Sequence, residues 1–154
     1  GAASDAFHLV QPSAEGQARA MRLALQDAGL SPADIQYINA HGTATRAGDV
    51  AEAEAIREVF GAGAQGPAVS STKSMHGHLM GAAGAIEFAA TVLALHHGAL
   101  PPTAFLSDPD PECELNHVAM SPRSPVEVNA VMSNSFAFGG SNAVLVARRS
   151  PSQD

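Results

Sequence analysis

Two histidines sit in glycine-flanked loops, each following a short apolar run: Asn39-Ala40-His41-Gly42-Thr43 and Lys73-Ser74-Met75-His76-Gly77-His78-Leu79. At neutral pH an imidazole is a neutral donor or acceptor, which suits acid–base work and oxyanion stabilisation. The adjoining glycines let a substrate approach the backbone closely. Two such rings point to carbonyl chemistry, provided a nucleophile arrives from elsewhere, because no cysteine precedes either motif.

The elements that must position these loops follow from periodicity and capping. Residues 14–28 read as an amphipathic helix with Ser13 as N-cap, with Ala18, Met21, Leu25 and Ala28 on one face and Gly29 just past the end. Ser31-Pro32 opens a short helical turn, and residues 35–40 are β-prone, a strand ending at His41. A second helix begins at Gly48-Asp49, runs to Phe60 and stops at Gly61; its acidic start (Asp49, Glu52, Glu54) suits the positive end of the helix dipole.

Residues 67–71 form a second short strand leading into the loop over residues 73–78. Residues 82–97 are a helix that is apolar nearly all round, so burial on most sides is expected. Residues 98–125 are Pro-rich and irregular, with a short strand near Val118. Two last strands, residues 128–133 and 143–148, flank the glycine loop Phe136-Ala137-Phe138-Gly139-Gly140. Alternating strands and helices predict an α/β layered fold. Three or four short strands give a helix apolar on all faces too little cover, and the first residue is Gly rather than Met. Both lead to the expectation of a piece of a larger unit.

Composition narrows the classes. The 154 residues are 45% hydrophobic and 15% charged, which fits one globular domain rather than a disordered chain. A net charge of −7 with 8 Lys and Arg argues against nucleic acid as a partner. The single cysteine, Cys113, excludes an intramolecular disulfide framework and fits a reducing, cytoplasmic setting. The most apolar stretch, residues 82–95, is too short to span a bilayer and carries Glu87 near its middle, so no membrane role is expected. A buried Glu87 needs a cationic partner, and Lys73 is the obvious one.

Several longer motifs occur in a recognisable order. They are Asn39-Ala40-His41-Gly42-Thr43-Ala44-Thr45, Gly48-Asp49 with Glu52, Ser70-Ser71-Thr72-Lys73-Ser74-Met75, and Gly77-His78-Leu79-Met80-Gly81-Ala82-Ala83-Gly84 with Glu87. Leu100-Pro101-Pro102-Thr103 and Asn134-Ser135-Phe136 through Asn142 complete the set. Over residues 5–149 the chain resembles the C-terminal half of an elongating β-ketoacyl-acyl carrier protein synthase. The resemblance implies half of a thiolase-like αβαβα sandwich, incomplete without an N-terminal half, with residues 1–154 as one half-domain. It implies a Cys–His–His site whose cysteine lies in that N-terminal half, and a strand just before Ser4-Asp5-Ala6 that these residues lack. Cys113 does not stand in for the nucleophile: it lies in an acidic loop, Asp110-Pro111-Glu112-Cys113-Glu114, away from any helix start that would lower its pKa.

Carried over residue by residue, the resemblance makes His41 and His78 catalytic. His41 would donate to a thioester carbonyl, and His78 would assist decarboxylation of a malonyl unit and steady the enolate. Lys73 joins them, with Glu52 as its support partner beneath the histidines and Glu87 and Asp49 as further supports. Thr43 and Thr45 resemble hydroxyls that bind a phosphopantetheine arm, and Phe138 resembles a gating phenylalanine, with Ala137 where Gly is usual. Asp5 and His8 match an entrance loop, Phe136 reads as packing, and His96-His97 as surface residues at a helix end. His76 reads as a loop residue or as one that supports the site without reacting, and a His76–His78 metal pair has no third ligand at a matching spacing.

The expected reaction is a decarboxylative Claisen condensation in fatty acid or polyketide synthesis, by an acyltransferase active only with its N-terminal half. No metal and no cofactor beyond the carrier's phosphopantetheine is expected. The implied partners are the cysteine-bearing half, acyl carrier protein, and a second complete synthase in a dimer. The alternative is a non-catalytic chain-length-factor-like subunit; such proteins typically lose the histidine motifs, which are present here. A thiolase would need a second cysteine motif that Cys113 does not provide, and a free-standing interaction module would not carry so apolar a helix.

Overall fold

The computed structural model describes residues 1–5, 8–61 and 63–150. Five strands form one mixed sheet: β1 (Ala2–Ser4), β2 (Tyr37–Asn39), β3 (Ala68–Ser70), β4 (Ala130–Ala137) and β5 (Ser141–Arg148), in the order β1-β5-β4-β2-β3. β3, β2 and β4 run parallel, while β5 returns antiparallel to β4 and β1 pairs antiparallel with β5. Helices α1 (Ala14–Ala28), α2 (Arg46–Phe60), α3 (Lys73–His76) and α4 (Ala83–His97) connect them.

Strand alternation divides the interior into two cores. Ile38, Val69, Met132 and Val144 face α1 and α2, against Ala18, Met21, Leu25 and Ile56. Tyr37, Ala68 and Val131 face the other way, against Ala94 and Leu95 of α4 and against Leu100 and Val118. The result is a three-layer α/β/α arrangement, as the alternating pattern predicts.

Local chemistry explains the boundaries. Ser13 Oγ accepts from the Gly16 N–H at 3.1 Å, and Gly29 closes α1 in the left-handed region at φ 64°. Pro32–Asp34 forms the expected 3₁₀ turn, clasped by the Ser31–Asp34 pair. α2 starts at Arg46, two residues before the glycine that sequence reasoning chose, with Thr45 as the flanking residue.

Five expectations need correction. Three residues of strand do precede Asp5, since β1 pairs with the free edge of β5; Ala6 lies outside the described residues. The segment after β3 is not all loop, because Lys73–His76 closes one helical turn. β4 begins later and runs further than expected, because pairing with β5 continues to Ala137. Near Val118 there are isolated bridges rather than a strand. Finally, α4 is buried on one face only, through Ala83, Glu87, Thr91, Ala94 and Leu95, while Ile86, Val92 and Leu93 are exposed. No helix of the described residues is long and apolar enough to cross a membrane.

Candidate active site

The carboxyl ends of the three parallel strands converge on one edge of the sheet, the place where open α/β sheets hold ligands. His41 follows β2, Lys73 follows β3, and Phe136 and Phe138 close β4. α3 and the loop after it bring in His78. Residues far apart in sequence meet there because parallel strands end on the same side.

The His41 and His78 rings stand edge to face with centroids 5.5 Å apart, and the Phe136 ring lies 6.0 Å from His41. Phe136 is therefore a wall of the site and not only core packing. His41 Nδ1 lies 3.3 Å from Lys73 Nζ, which can only donate, so Nδ1 accepts. His78 Nδ1 accepts from the Met80 N–H, also at 3.3 Å. In the neutral state each ring therefore carries its proton on Nε2, leaving two N–H donors with no protein partner among the described residues. Burial, the Lys73 charge and the neighbouring His78 lower the His41 pKa from 6.5 to about 4, so this ring stays neutral at physiological pH.

Lys73 is 8% exposed and forms an ion pair with Glu87, which is 1% exposed. It does not meet Glu52. Glu52 lies on α2, across the sheet from α4, and accepts from the backbone N–H groups of His41 (2.9 Å) and Gly42 (2.8 Å) and from Asn134 Nδ2 (3.0 Å). Burial pushes the Glu52 carboxyl above the ordinary range, opposed by those three donors. Glu52 thus anchors the turn that carries His41, whereas Glu87 holds the lysine.

Burial raises the Asp49 pKa, opposed by the nearby Ala44 and Thr43 backbone N–H groups and the Lys73 charge. Thr43 and Thr45 face each other across 3.1 Å between hydroxyls, and Ala44 between them sits at φ 59°. Phe138 is 74% exposed on a 3₁₀ turn with Gly139 and Gly140 at positive φ, and the Gly139 N–H donates to the Leu9 carbonyl at 2.8 Å. Asp5 accepts from Asn142 Nδ2 at 2.8 Å, and the His8 ring accepts from the Val10 and Gln11 N–H groups, so both organise the neighbouring segment. His96 and His97 lie exposed at the end of α4.

Cys113 lies nearer a helix start than expected. Its loop lies beside the first turns of α2, in an open pocket of about 550 Å³ with Arg46 and Asp49. Proximity to a helix start does not activate the thiol, because burial and the charges of Asp49, Asp110 and Glu112 raise its pKa.

Sequence reasoning did not single out Asn39 and Asn134, each fully buried on a parallel strand. Asn39 Nδ2 donates to Thr72 Oγ1 and to the Glu87 carbonyl, each at 3.1 Å. Its signal was present: an amide inside an otherwise apolar strand must find partners.

A family model described as "Beta-ketoacyl synthase, C-terminal domain" matches residues 1–107. Nodulation protein E of Rhizobium sp. (strain N33) is 50% identical over 149 residues, which are 97% of this chain and 37% of that protein. The 3-oxoacyl-[acyl-carrier-protein] synthase 2 of Coxiella burnetii is 48% identical over 151 residues, 97% of this chain and 36% of its own length. Among solved structures, the ishigamide ketosynthase/chain length factor superposes with a TM-score of 0.94 at 42% identity, covering 98% of this chain and 37% of that one. The chain therefore spans little more than a third of the length of the proteins it resembles.

Proposed function

Because the chain belongs to the β-ketoacyl synthase family, through that family's C-terminal domain, we propose that it supplies the histidine half of a decarboxylative condensing site. The carrying observation is the pair of imidazoles with ring centroids 5.5 Å apart, each with Nδ1 occupied and Nε2 free to donate. Two ring N–H donors converging on one oxygen are suited to a thioester carbonyl as it gains negative charge. His41 and His78 hold that oxygen, Lys73 fixes the first ring, Glu87 neutralises Lys73, and Glu52 and Asp49 fix the backbone between His41 and α2.

The nucleophile comes from an N-terminal part of the same synthase: a cysteine thiolate displaces the carrier thiol from an acyl thioester. A malonyl thioester then loses CO₂, and the electron pair of the broken carbon–carbon bond forms an enolate held by the Nε2–H donors. Its carbon attacks the acyl-cysteine carbonyl, and the cysteine thiolate leaves with the β-ketoacyl thioester formed. The Thr43 and Thr45 hydroxyls receive the carrier's phosphopantetheine arm, Phe138 gates entry, and the chemistry needs no further cofactor or metal. The name of the Coxiella relative supports acyl carrier protein as the substrate carrier. The proposed working form is a dimer of complete synthases in fatty acid or polyketide synthesis.

The test is the full-length protein with acyl and malonyl thioesters on acyl carrier protein, with labelled acyl transfer and CO₂ release measured separately. Wild type should perform both steps, and His78→Ala should lose decarboxylation while retaining acyl loading. Equal loss of both steps makes His78 structural. Neither step in wild type favours the chain-length-factor reading, which the printed name of the ishigamide neighbour keeps relevant.

A further inference from the structure

His76 ends α3 two residues before His78, and both of its ring nitrogens are engaged. Nδ1 lies 2.7 Å from the Gly77 carbonyl oxygen, and Nε2 lies 3.1 Å from Thr72 Oγ1. A carbonyl only accepts, so Nδ1 carries the proton, and in the neutral ring Nε2 accepts from the Thr72 hydroxyl. That hydroxyl has one proton to give. Nε2 is its nearer acceptor, because Asn39 Oδ1 stands at 3.3 Å, while Asn39 Nδ2 donates to the hydroxyl from 3.1 Å.

A hydrogen-bonded chain therefore runs from the fully buried Asn39, through Thr72 and His76, to the peptide immediately before His78. The other side of Gly77 is held as well, since its N–H donates to the Lys73 carbonyl at 2.9 Å. Gly77 sits at φ 77°, where a residue without Cβ has wide freedom if its carbonyl is released. His78 needs such control. It is exposed, and among the described residues its ring makes one hydrogen bond, accepting at 3.3 Å from the N–H of Met80, itself at φ 50°. An exposed ring with so little restraint takes its direction from the backbone beneath it.

On the reading of the site given above, we propose that His76 is a positioning residue for His78. Its imidazole clamps the Gly77 peptide to the Asn39–Thr72 network and so sets the His78 ring opposite His41. His76 itself does not touch the reacting atoms. The plainer role, a basic side chain at a helix C-terminus, requires charge but no matched donor and acceptor.

The experiment uses the full-length protein with three substitutions. His76→Phe keeps the ring volume and removes both hydrogen bonds, His76→Ala removes ring and bonds together, and His76→Gln restores an N–H for Gly77 and an oxygen for Thr72. Malonyl decarboxylation in the folded Phe or Ala variant should fall by about tenfold or more in kcat, as expected for a displaced reacting group. The KM for the malonyl thioester and the rate of acyl loading should stay within about twofold. Gln should recover most of the loss. In parallel, the ring ¹⁵N signals of His78 should report an Nε2–H tautomer in wild type and Gln, and a tautomer mixture in Phe or Ala. The proposal is overturned if Phe and Ala decarboxylate like wild type, if Gln is no better than Phe, or if loading and decarboxylation fall together. An unchanged His78 spectrum overturns it too. If wild type proves inactive, the condensing reading fails, and the His78 spectra still decide the clamp.

Discussion

An imidazole works as a neutral donor only while its other nitrogen is occupied and its ring resists protonation. His41 meets both conditions through Lys73, which fills Nδ1 and adds to the burial that lowers the pKa to about 4. The sign of the consequence is fixed by linkage. In the unfolded chain the ring takes a proton near its ordinary value of 6.5, whereas the folded ring waits until about 4. Between those values the unfolded state binds the extra proton, so stability should fall as pH drops through that window. His41→Asn in the full-length protein should flatten this slope, read as denaturation midpoints at pH 7 and pH 5. A variant whose midpoints track wild type at both pH values would mean that His41 titrates normally. The two histidines were legible from their glycine-flanked loops, and the Lys73–Glu87 pair from the cost of a lone carboxylate in an apolar helix. That Lys73 does not also meet Glu52 was not recoverable from the residues. Both glutamates lie on helices, and nothing in the local sequence says which face of the sheet each crossover takes.

At the scale of elements, α4 and the turn after β3 are joined by that buried pair. Lys73→Ala leaves Glu87 without its cation and His41 Nδ1 without its donor. Removing one partner of a buried pair costs about 3–5 kcal/mol. Urea unfolding of the full-length protein should show a loss of that order, together with reduced condensation. A change below about 0.5 kcal/mol, the usual size for a surface substitution, would remove Lys73 from any supporting role. The turn after β4 makes a different prediction. Phe138 projects from two glycines at positive φ, and the turn is tied to the preceding segment through the Gly139–Leu9 hydrogen bond. A bulky ring on such a turn suits control over the order of events rather than the chemistry. Phe138→Ala should raise the ratio of CO₂ released to ketoacyl product formed. A ratio held at the wild-type value while both rates fall would make Phe138 a packing residue. Helices with clear caps, such as α1, could be placed from sequence to the residue. β1 could not, because three residues pairing with a distant edge leave no periodic signature.

Across the whole molecule, the layer on one side of the sheet is complete and the other is not. α1 and α2 share a closed core with the sheet, but α4 turns Ile86, Ala89, Val92 and Leu93 outward at helical spacing. Leu79 and Met80 continue the apolar surface from the turn before it, 44% and 77% exposed. Fully burying an aliphatic side chain of this size stabilises by about 1.5–3 kcal/mol, against a total stability of about 5–15 kcal/mol for a domain. Leaving several of them in water removes a large part of that margin. The all-round apolar pattern of this helix was visible in the sequence, whereas the face left uncovered was not, because that depends on what lies against the sheet. The relatives extend well beyond the matched region, which makes up 37% of the first of them, so material to cover α4 exists in proteins of this kind. The 154 residues expressed alone should therefore be insoluble or molten: compact by circular dichroism, without a sharp calorimetric transition, and binding an apolar dye. The full-length protein should melt cooperatively and leave the dye unbound. A monomeric, dye-free fragment with a sharp two-state transition would show that the exposed face of α4 needs no cover, and the case for a half-domain completed by an N-terminal partner would lose its physical basis.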